Sequence, residues 1–326
     1  MHLKVLCLSS FKKGTALTNL INMTHYNHPE VEFISYEHGQ KGHVWLGNNT
    51  TLFEGESKIR KVVFVCSVPT IRKRNRMDGW ENMDHVVYLS DFCKNIIESD
   101  HKSNSNSKLL FFGGLPVDND LNPIDKPRHI DGPIQFIAIA KWYKRRYKRL
   151  KQIIKLYNSY LKKEYPGSIL NIIGAEDYRK DGNIHYYKKS FHNKKLIDIF
   201  KKSHIQLTPT PFDTGPKTIA ESLHYRVPFI CSNNCAGIEY IKVLGKCGIE
   251  VDTDPYISSL SDYNKYQPLS MVSKNKFHAR PIPYEDYFEA VKQIINNFEE
   301  YTSWQWNDKF NYTKQSDSLY NILKGK

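Results

Sequence analysis

The sequence predicts an α/β protein built from two parallel-sheet domains. Three observations carry this reading. Short apolar runs alternate with helix-periodic segments along most of the 326 residues, the order that builds parallel sheets flanked by helices. The alternation runs twice. Between the two series lie residues 118–133, rich in Pro, Asp and Asn and without apolar periodicity, which reads as a linker. The boundary is placed near residue 130, giving domains 1–130 and 131–300 followed by a segment 301–326.

In the first half, residues 3–10 form a short apolar run ending in small polar residues, typical of a buried parallel strand. A helix is expected over 15–25, with Ala16, Leu17, Leu20 and Ile21 on its apolar side. The loop between them holds Gly14, at the point where doubly wound folds hold a ligand. Strands follow at 31–36, 61–67, 85–90 and 108–112. Residues 38–54 read as irregular or as a hairpin. Residues 68–80 form a basic loop with Arg72, Lys73, Arg74 and Arg76. A helix over 91–98 takes Ser90 or Asp91 as its N-cap.

The second half begins with a strand at 134–140. Residues 141–163 hold ten Lys or Arg and no acid, on a helix with apolar Leu150, Ile153, Ile154, Leu156, Tyr157 and Leu161. Strands are expected at 169–173, 183–187, 205–208, 228–231 and 249–251, with helices at 193–201, from the Gly-Pro turn to Tyr225, and at 238–244. Residues 252–283 read as irregular. Residues 284–301 read as an amphipathic helix, and Trp304, Trp306, Phe310 and Tyr312 after it suit packing or an interdomain contact.

The net charge of 47 − 34 = +13 favours anionic partners: nucleic acid, an acidic membrane surface, or phosphorylated small molecules. A Lys-rich vocabulary alone raises the charge, so local clusters must decide. None of the six cysteines forms a C-x-x-C, and Cys7 and Cys66 lie in apolar runs. Reduced thiols and a cytoplasmic location are expected. The N-terminus is too quickly polar for a signal peptide, and no apolar run has the length of a membrane span.

The densest chemistry lies in residues 208–221, TPTPFDTGPKTIAE. Two acids, Asp213 and Glu221, stand eight residues apart around Gly215, Pro216, Lys217 and Thr218. A Gly-Pro turn opening a helix is expected to leave backbone N–H groups for an anion. Acids beside an anion site point to a ligand with hydroxyls as well as phosphates. A sugar nucleotide has both.

With these motifs in order, residues 134–245 resemble the C-terminal domain of the retaining GT4 glycosyltransferases, which adopt the GT-B fold: two Rossmann-like parallel-sheet domains facing a central cleft. The resemblance rests on an acid, seven residues and a Glu, met here by Asp213 and Glu221. Asp213 stands where the family usually has Glu. It also rests on the run ESLHYRVPFICSN, on residues 234–239, and on a basic pair after the domain's first strand, met here by Lys141 and Arg146. The resemblance implies a transferase that moves a sugar from a UDP- or GDP-linked donor to an acceptor hydroxyl with retention. Lys141 and Arg146 would clasp the diphosphate, Glu221 the ribose, and Asp213 the transferred sugar. Gly14, Gly215, Lys217 and Thr218 would add donor contacts, and Lys188 and its loop would meet the base. Domain 1–130 would hold the acceptor and 301–326 would cross back to it.

No metal ion or cofactor is expected beyond the donor. The thirteen histidines form no ligand-spaced pair, and the D-x-D matches at 118–120 and 252–254 are read as loops apart from the donor site. Lys148, Arg149, Lys151, Lys155, Lys162 and Lys163 exceed what one diphosphate needs and are read mostly as surface charge. They leave open an alternative in which the acceptor is a polyanion such as modified DNA or an anionic membrane lipid, beside the glycan or lipid acceptor of the main reading. A further alternative is a GT-B protein that binds nucleotide sugars without transfer, or an epimerase.

Overall fold

The computed structural model describes residues 2–7, 16–35, 41–47, 59–65, 83–99, 106–110, 124, 126–139, 148–188, 193–266 and 281–326. The chain forms two compact units. One comprises Met1–Leu115, Ile257–Lys265 and Trp306–Lys326; the other comprises Pro116–Tyr256 and Tyr266–Gln305. Each is an α/β unit on a mostly parallel sheet, the pair of sheets that defines the GT-B fold.

The first unit holds β1 (Leu3–Cys7), α1 (Ala16–Asn27), β2 (Val31–Ser35), β3 (Val44–Gly47), β4 (Arg60–Val65), β5 (His85–Tyr88) and β6 (Ser107–Leu109). The strand order is β2-β1-β3-β4-β5-β6, parallel throughout. The segment expected to be irregular or a hairpin at 38–54 contributes β3, a parallel strand between β1 and β4. Its apolar residues Val44, Trp45 and Leu46 are set among Gly39, Gly42 and Gly47 and the polar run 48–51, which mask the strand in the sequence. A helix at Asp91–Glu98 is capped by Ser90, whose hydroxyl accepts from the Cys93 N–H at 3.0 Å.

The aromatic tail continues into a helix, Tyr312–Lys324, that the sequence reading did not predict. Its Leu319, Ile322 and Leu323 are buried with Leu20, Ile21 and Met23 of α1 and with β1 and β4. The Asn27 amide donates to the Ser316 hydroxyl, and the Arg60 guanidinium to the Leu323 carbonyl. Apolar residues come late in this helix, after a polar first half, so the periodic signal is weak.

The second unit holds β7 (Gln135–Ile139), α2 (Leu150–Leu156, continued by a π-helical turn Tyr157–Leu161 and a last turn Lys162–Glu164), β8 (Ile169–Ala175), β9 (Arg179–Asp181) and β10 (Ile184–Lys188). It continues with α3 (Asn193–Lys202), β11 (Ile205–Thr208), α4 (Lys217–His224), β12 (Phe229–Ser232), α5 (Gly237–Leu244) and β13 (Gly248–Val251). Its sheet runs β13-β12-β11-β7-β8-β10-β9, parallel except for the edge strand β9. Alternate residues of β7 face two cores: Phe136 and Ala138 pack toward α2 and the helix Tyr284–Asn296, Ile137 toward α3. Residues 252–283, expected to be irregular, include a helix at Leu260–Tyr266. The expected helix 284–301 is two, broken at Asn297.

Two arginines, buried Arg226 and half-buried Arg128, fasten the edges of this unit. Arg226 follows α4 in the left-handed region (φ 54°) and donates to the carbonyls of Ile124, Thr302 and Trp304. Arg128 donates to the carbonyls of Lys201, Ser203 and Tyr225. Each guanidinium satisfies carbonyls that helix ends and chain crossings leave over. Arg226→Ala should lower stability by about 3 kcal/mol or more, because several buried acceptors lose a charged donor together. Thermal unfolding checks this, and a Tm within 2 °C of wild type, taken as roughly the smallest meaningful shift, would contradict it.

Candidate donor site at the switch point of the second sheet

Numbered within the unit, the parallel strands of the second sheet follow the order 3-2-1-4-5-6, with the reversal between β7 and β11. Chain direction there sends the connections after β7 and β11 to opposite faces. The carboxyl ends of these two strands therefore border the crevice where open α/β sheets bind ligands. Loops from both strands meet across it. Lys148, from the β7–α2 connection, places its Nζ 2.7 Å from Asp213 Oδ2, from the β11–α4 connection. The two side chains are mostly covered, 14% and 21% exposed.

Asp213 is held by backbone on both sides. Its N–H donates to the Asn234 carbonyl at 3.0 Å, and its own carbonyl accepts from the Ala236 N–H at 2.8 Å. This isolated parallel bridge extends the β11–β12 pairing past the ends of both strands. Its Oδ1 accepts from the Gly215 N–H at 3.2 Å. Pro216, at φ −74° and ψ 81°, is the centre of an inverse γ-turn closed by the Lys217 N–H on the Gly215 carbonyl at 2.8 Å. The Gly215 and Lys217 amides thus have acceptors within the turn, which departs from the expectation of N–H groups left for an anion. The reason is Pro216: its ring fixes φ and supplies no donor, so the turn closes on itself.

Within α4, Lys217 and Glu221 pair at 3.1 Å across one helical turn. Glu221 is buried; Lys217 is the more exposed partner, at 26%. The Thr218 hydroxyl accepts from the Gln206 amide at 3.0 Å, which ties the first turn of α4 to β11. Lys188 is exposed at the carboxyl end of β10, two strands from β7, or about 10 Å along the sheet. Gly14, Lys141 and Arg146 lie outside the described residues, as do Lys189, Ser190 and the basic loop 68–80.

Lys148 and Arg149 are not surplus surface charge. Lys148 pairs with Asp213. The Arg149 side chain is fully buried, forms a two-pronged pair with Asp254 at 2.7 and 2.8 Å, and donates to the Pro209 carbonyl at 3.1 Å. Arg149 adopts φ 58°, a left-handed conformation that costs roughly 1–2 kcal/mol for such a residue. The loop 252–254 is likewise not apart from this site, since Asp254 grips the residue next to Lys148. Asn233 holds that loop, donating to Asp252 Oδ1 and to the Asp254 carbonyl at 2.7 Å. These residues were hidden inside an acid-free basic run. The usable signal was position: Lys148 and Arg149 stand immediately before the apolar period that starts at Leu150.

Among the described residues, no group of three or more His, Cys, Asp or Glu has the placement to hold a metal ion. Within the same residues, no helix is long and apolar enough to cross a membrane.

No protein-family model and no curated protein sequence matches the chain. Solved structures do resemble it. The lipopolysaccharide outer core galactosyltransferase WaaB aligns with TM-score 0.61 at 12% identity, over 99% of each chain. Sucrose-phosphate synthase from Thermosynechococcus elongatus aligns with TM-score 0.60 at 10% identity, over 98% of this chain and 96% of its own. An E. coli structure described as trehalose-6-phosphate bound with UDP-2-fluoro glucose aligns with TM-score 0.56 at 8% identity, over 98% and 99%. At such identities the likeness is one of fold.

Burial pushes the Glu221 carboxyl above the usual Glu range, against the lowering effect of Lys217. Below the ordinary Glu pKa of about 4.3 both folded and unfolded chains are protonated there. As pH rises the unfolded chain ionises first, so this residue subtracts stability until the pH passes its folded value. Glu221→Gln removes that loss. Its Tm gain over wild type should be larger at pH 8 than at pH 4, values chosen on either side of the usual Glu range, roughly. Equal differences at both would contradict it.

Proposed function

We propose that the protein is a glycosyltransferase of the retaining GT4 type, taking a nucleotide-sugar donor at the β7/β11 switch point. The observation that carries the reading is the meeting of Lys148 with the Asp213 loop at that crevice, one short turn from buried Glu221. The fold likeness to WaaB, sucrose-phosphate synthase and the structure bound with UDP-2-fluoro glucose supports it.

In this reading the donor diphosphate lies against Lys148, with Lys217 as a second cation and Lys141 and Arg146 as further cations of the same β7–α2 connection. Negative charge grows on the diphosphate as the bond from the sugar's anomeric carbon to its oxygen breaks. Fixed cations stabilise that charge without reorganising, which is why the reading assigns this work to side chains and not to a metal. The acceptor oxygen bonds to the anomeric carbon from the same face, and its proton passes to the departing phosphate oxygen. Asp213 accepts hydrogen bonds from the transferred sugar. Glu221 accepts two from the ribose hydroxyls, which gives a buried, ionisable side chain a role that stability alone does not explain. The acceptor, a glycan or lipid, is assigned to the N-terminal unit.

A panel of UDP- and GDP-sugars tests this. The true donor should raise Tm, since a ligand that binds only the folded chain stabilises it. It should also be turned over by transfer or slow hydrolysis. Lys148→Ala and Glu221→Ala should each reduce kcat/KM by about 100-fold or more, the scale on which one fixed charge contact acts. Wild-type rates in both variants would overturn the site assignment.

A further inference from the structure

The contacts around Lys148 form a closed circuit. Lys148 reaches Asp213 at 2.7 Å. The Asp213 N–H reaches the Asn234 carbonyl at 3.0 Å. Asn234 is covalently joined to Asn233, whose amide nitrogen holds the Asp254 carbonyl at 2.7 Å and the Asp252 carboxylate. The Asp254 carboxylate takes both prongs of Arg149 at 2.7 and 2.8 Å, and Arg149 is covalently joined to Lys148. Four connections take part, those following β7, β11, β12 and β13. The noncovalent links that close the circuit, Lys148–Asp213, Asp213–Asn234, Asn233–Asp254 and Arg149–Asp254, are 2.7–3.0 Å long.

Arg149 shows that the circuit is under load. A fully buried arginine in the left-handed region persists only where its surroundings over-determine it. Those surroundings are Asp254, itself fixed by the Thr253 hydroxyl at 2.9 Å, and the Pro209 carbonyl at the end of β11. The backbone of Arg149 sets where the chain turns into α2, and so where the preceding residue, Lys148, points.

We propose that Arg149 and Asp254 are positioning residues: through this circuit they fix the Lys148 amine at the crevice. The inference rests on the donor-site reading above, in which Lys148 acts on the departing diphosphate. Neither Arg149 nor Asp254 is assigned a contact with the donor. Their loss should therefore lower turnover by misplacing Lys148, because a misplacement of about 1 Å is enough to cost about 100-fold in rate. Most affinity for the intact donor should remain, since its diphosphate does not yet carry the added charge that Lys148 meets in the departing diphosphate.

The test uses the full chain with Arg149→Met, Asp254→Asn, and the double variant Arg149→Met/Asp254→Leu. The double variant removes the buried pair entirely, and well-packed apolar residues often restore the stability that breaking such a pair loses. A structural role and a positioning role then part. The circuit predicts that all three variants lose kcat by about tenfold or more with donor KM within about threefold of wild type, and that the double variant regains Tm without regaining kcat. Recovery of kcat together with Tm would overturn the proposal, as would unchanged kcat in Asp254→Asn. A second readout does not need turnover. With lysines carrying ¹³C-methyl groups, the Lys148 resonance, assigned through Lys148→Arg, should move toward that of an exposed lysine in Asp254→Asn. An unmoved resonance would overturn the circuit. If wild type turns over no nucleotide sugar, the donor reading fails, and this resonance still decides the circuit on its own.

Discussion

The strand reversal between β7 and β11 leaves two loops that diverge from neighbouring strand ends, and the Lys148–Asp213 ion pair spans the space between them. Much of the second unit's carboxyl edge is arranged around that span. Asp213 is pinned by the backbone of residues 234 and 236, Arg149 by Asp254, and Asp254's loop by Asn233. A pair of this kind in water is worth about 1 kcal/mol or less. Within a largely covered crevice its charges attract more strongly, and each becomes costly if its partner is withdrawn. A ligand with negative charge competes with Asp213 for Lys148, and a ligand with hydroxyls suits Asp213.

One rule covers Arg128, Arg149, Arg226 and Glu221: each charged group meets carbonyl acceptors or an opposite charge. Arg226 and Arg128 each donate to three carbonyls, and they close the unit where the linker and the segment after residue 300 cross it. Arg149 is matched by Asp254. Glu221 fits the rule least well. Lys217 reaches it from a more exposed position, and burial still raises its affinity for a proton. In the proposed function, the ribose contact of Glu221 accounts for that cost to stability.

Much of this was legible in the sequence. The apolar runs at β1, β4, β5, β7, β8 and β11 show as buried strands, and α4 announces itself by the Gly-Pro turn and a clear apolar stripe. Asp213, Gly215, Lys217, Thr218 and Glu221 fall on one strand–turn–helix because they are close in the chain, so local signals sufficed. Strand β3 did not show because glycines and a polar run surround it, and the helices Leu260–Tyr266 and Tyr312–Lys324 did not because a short or late apolar stripe gives no period. The circuit through Arg149 was invisible for a different reason. It joins residues more than 100 positions apart, and a run of like charges looks the same in sequence whether its members are solvated or buried. The turn at Pro216 was half read: its position was correct, but its amides turned inward.

In the proposed function, Lys148 meets a diphosphate at the β7/β11 crevice. A calorimetric titration of UDP and of uridine into wild type and Lys148→Ala tests it most directly, with GDP and guanosine as the parallel pair. The account predicts that the variant loses about tenfold or more in affinity for the diphosphate of the preferred base, roughly the worth of one charge-assisted contact, while affinity for the nucleoside is unchanged. Equal diphosphate affinity in the two proteins, or parallel losses for diphosphate and nucleoside, would contradict it.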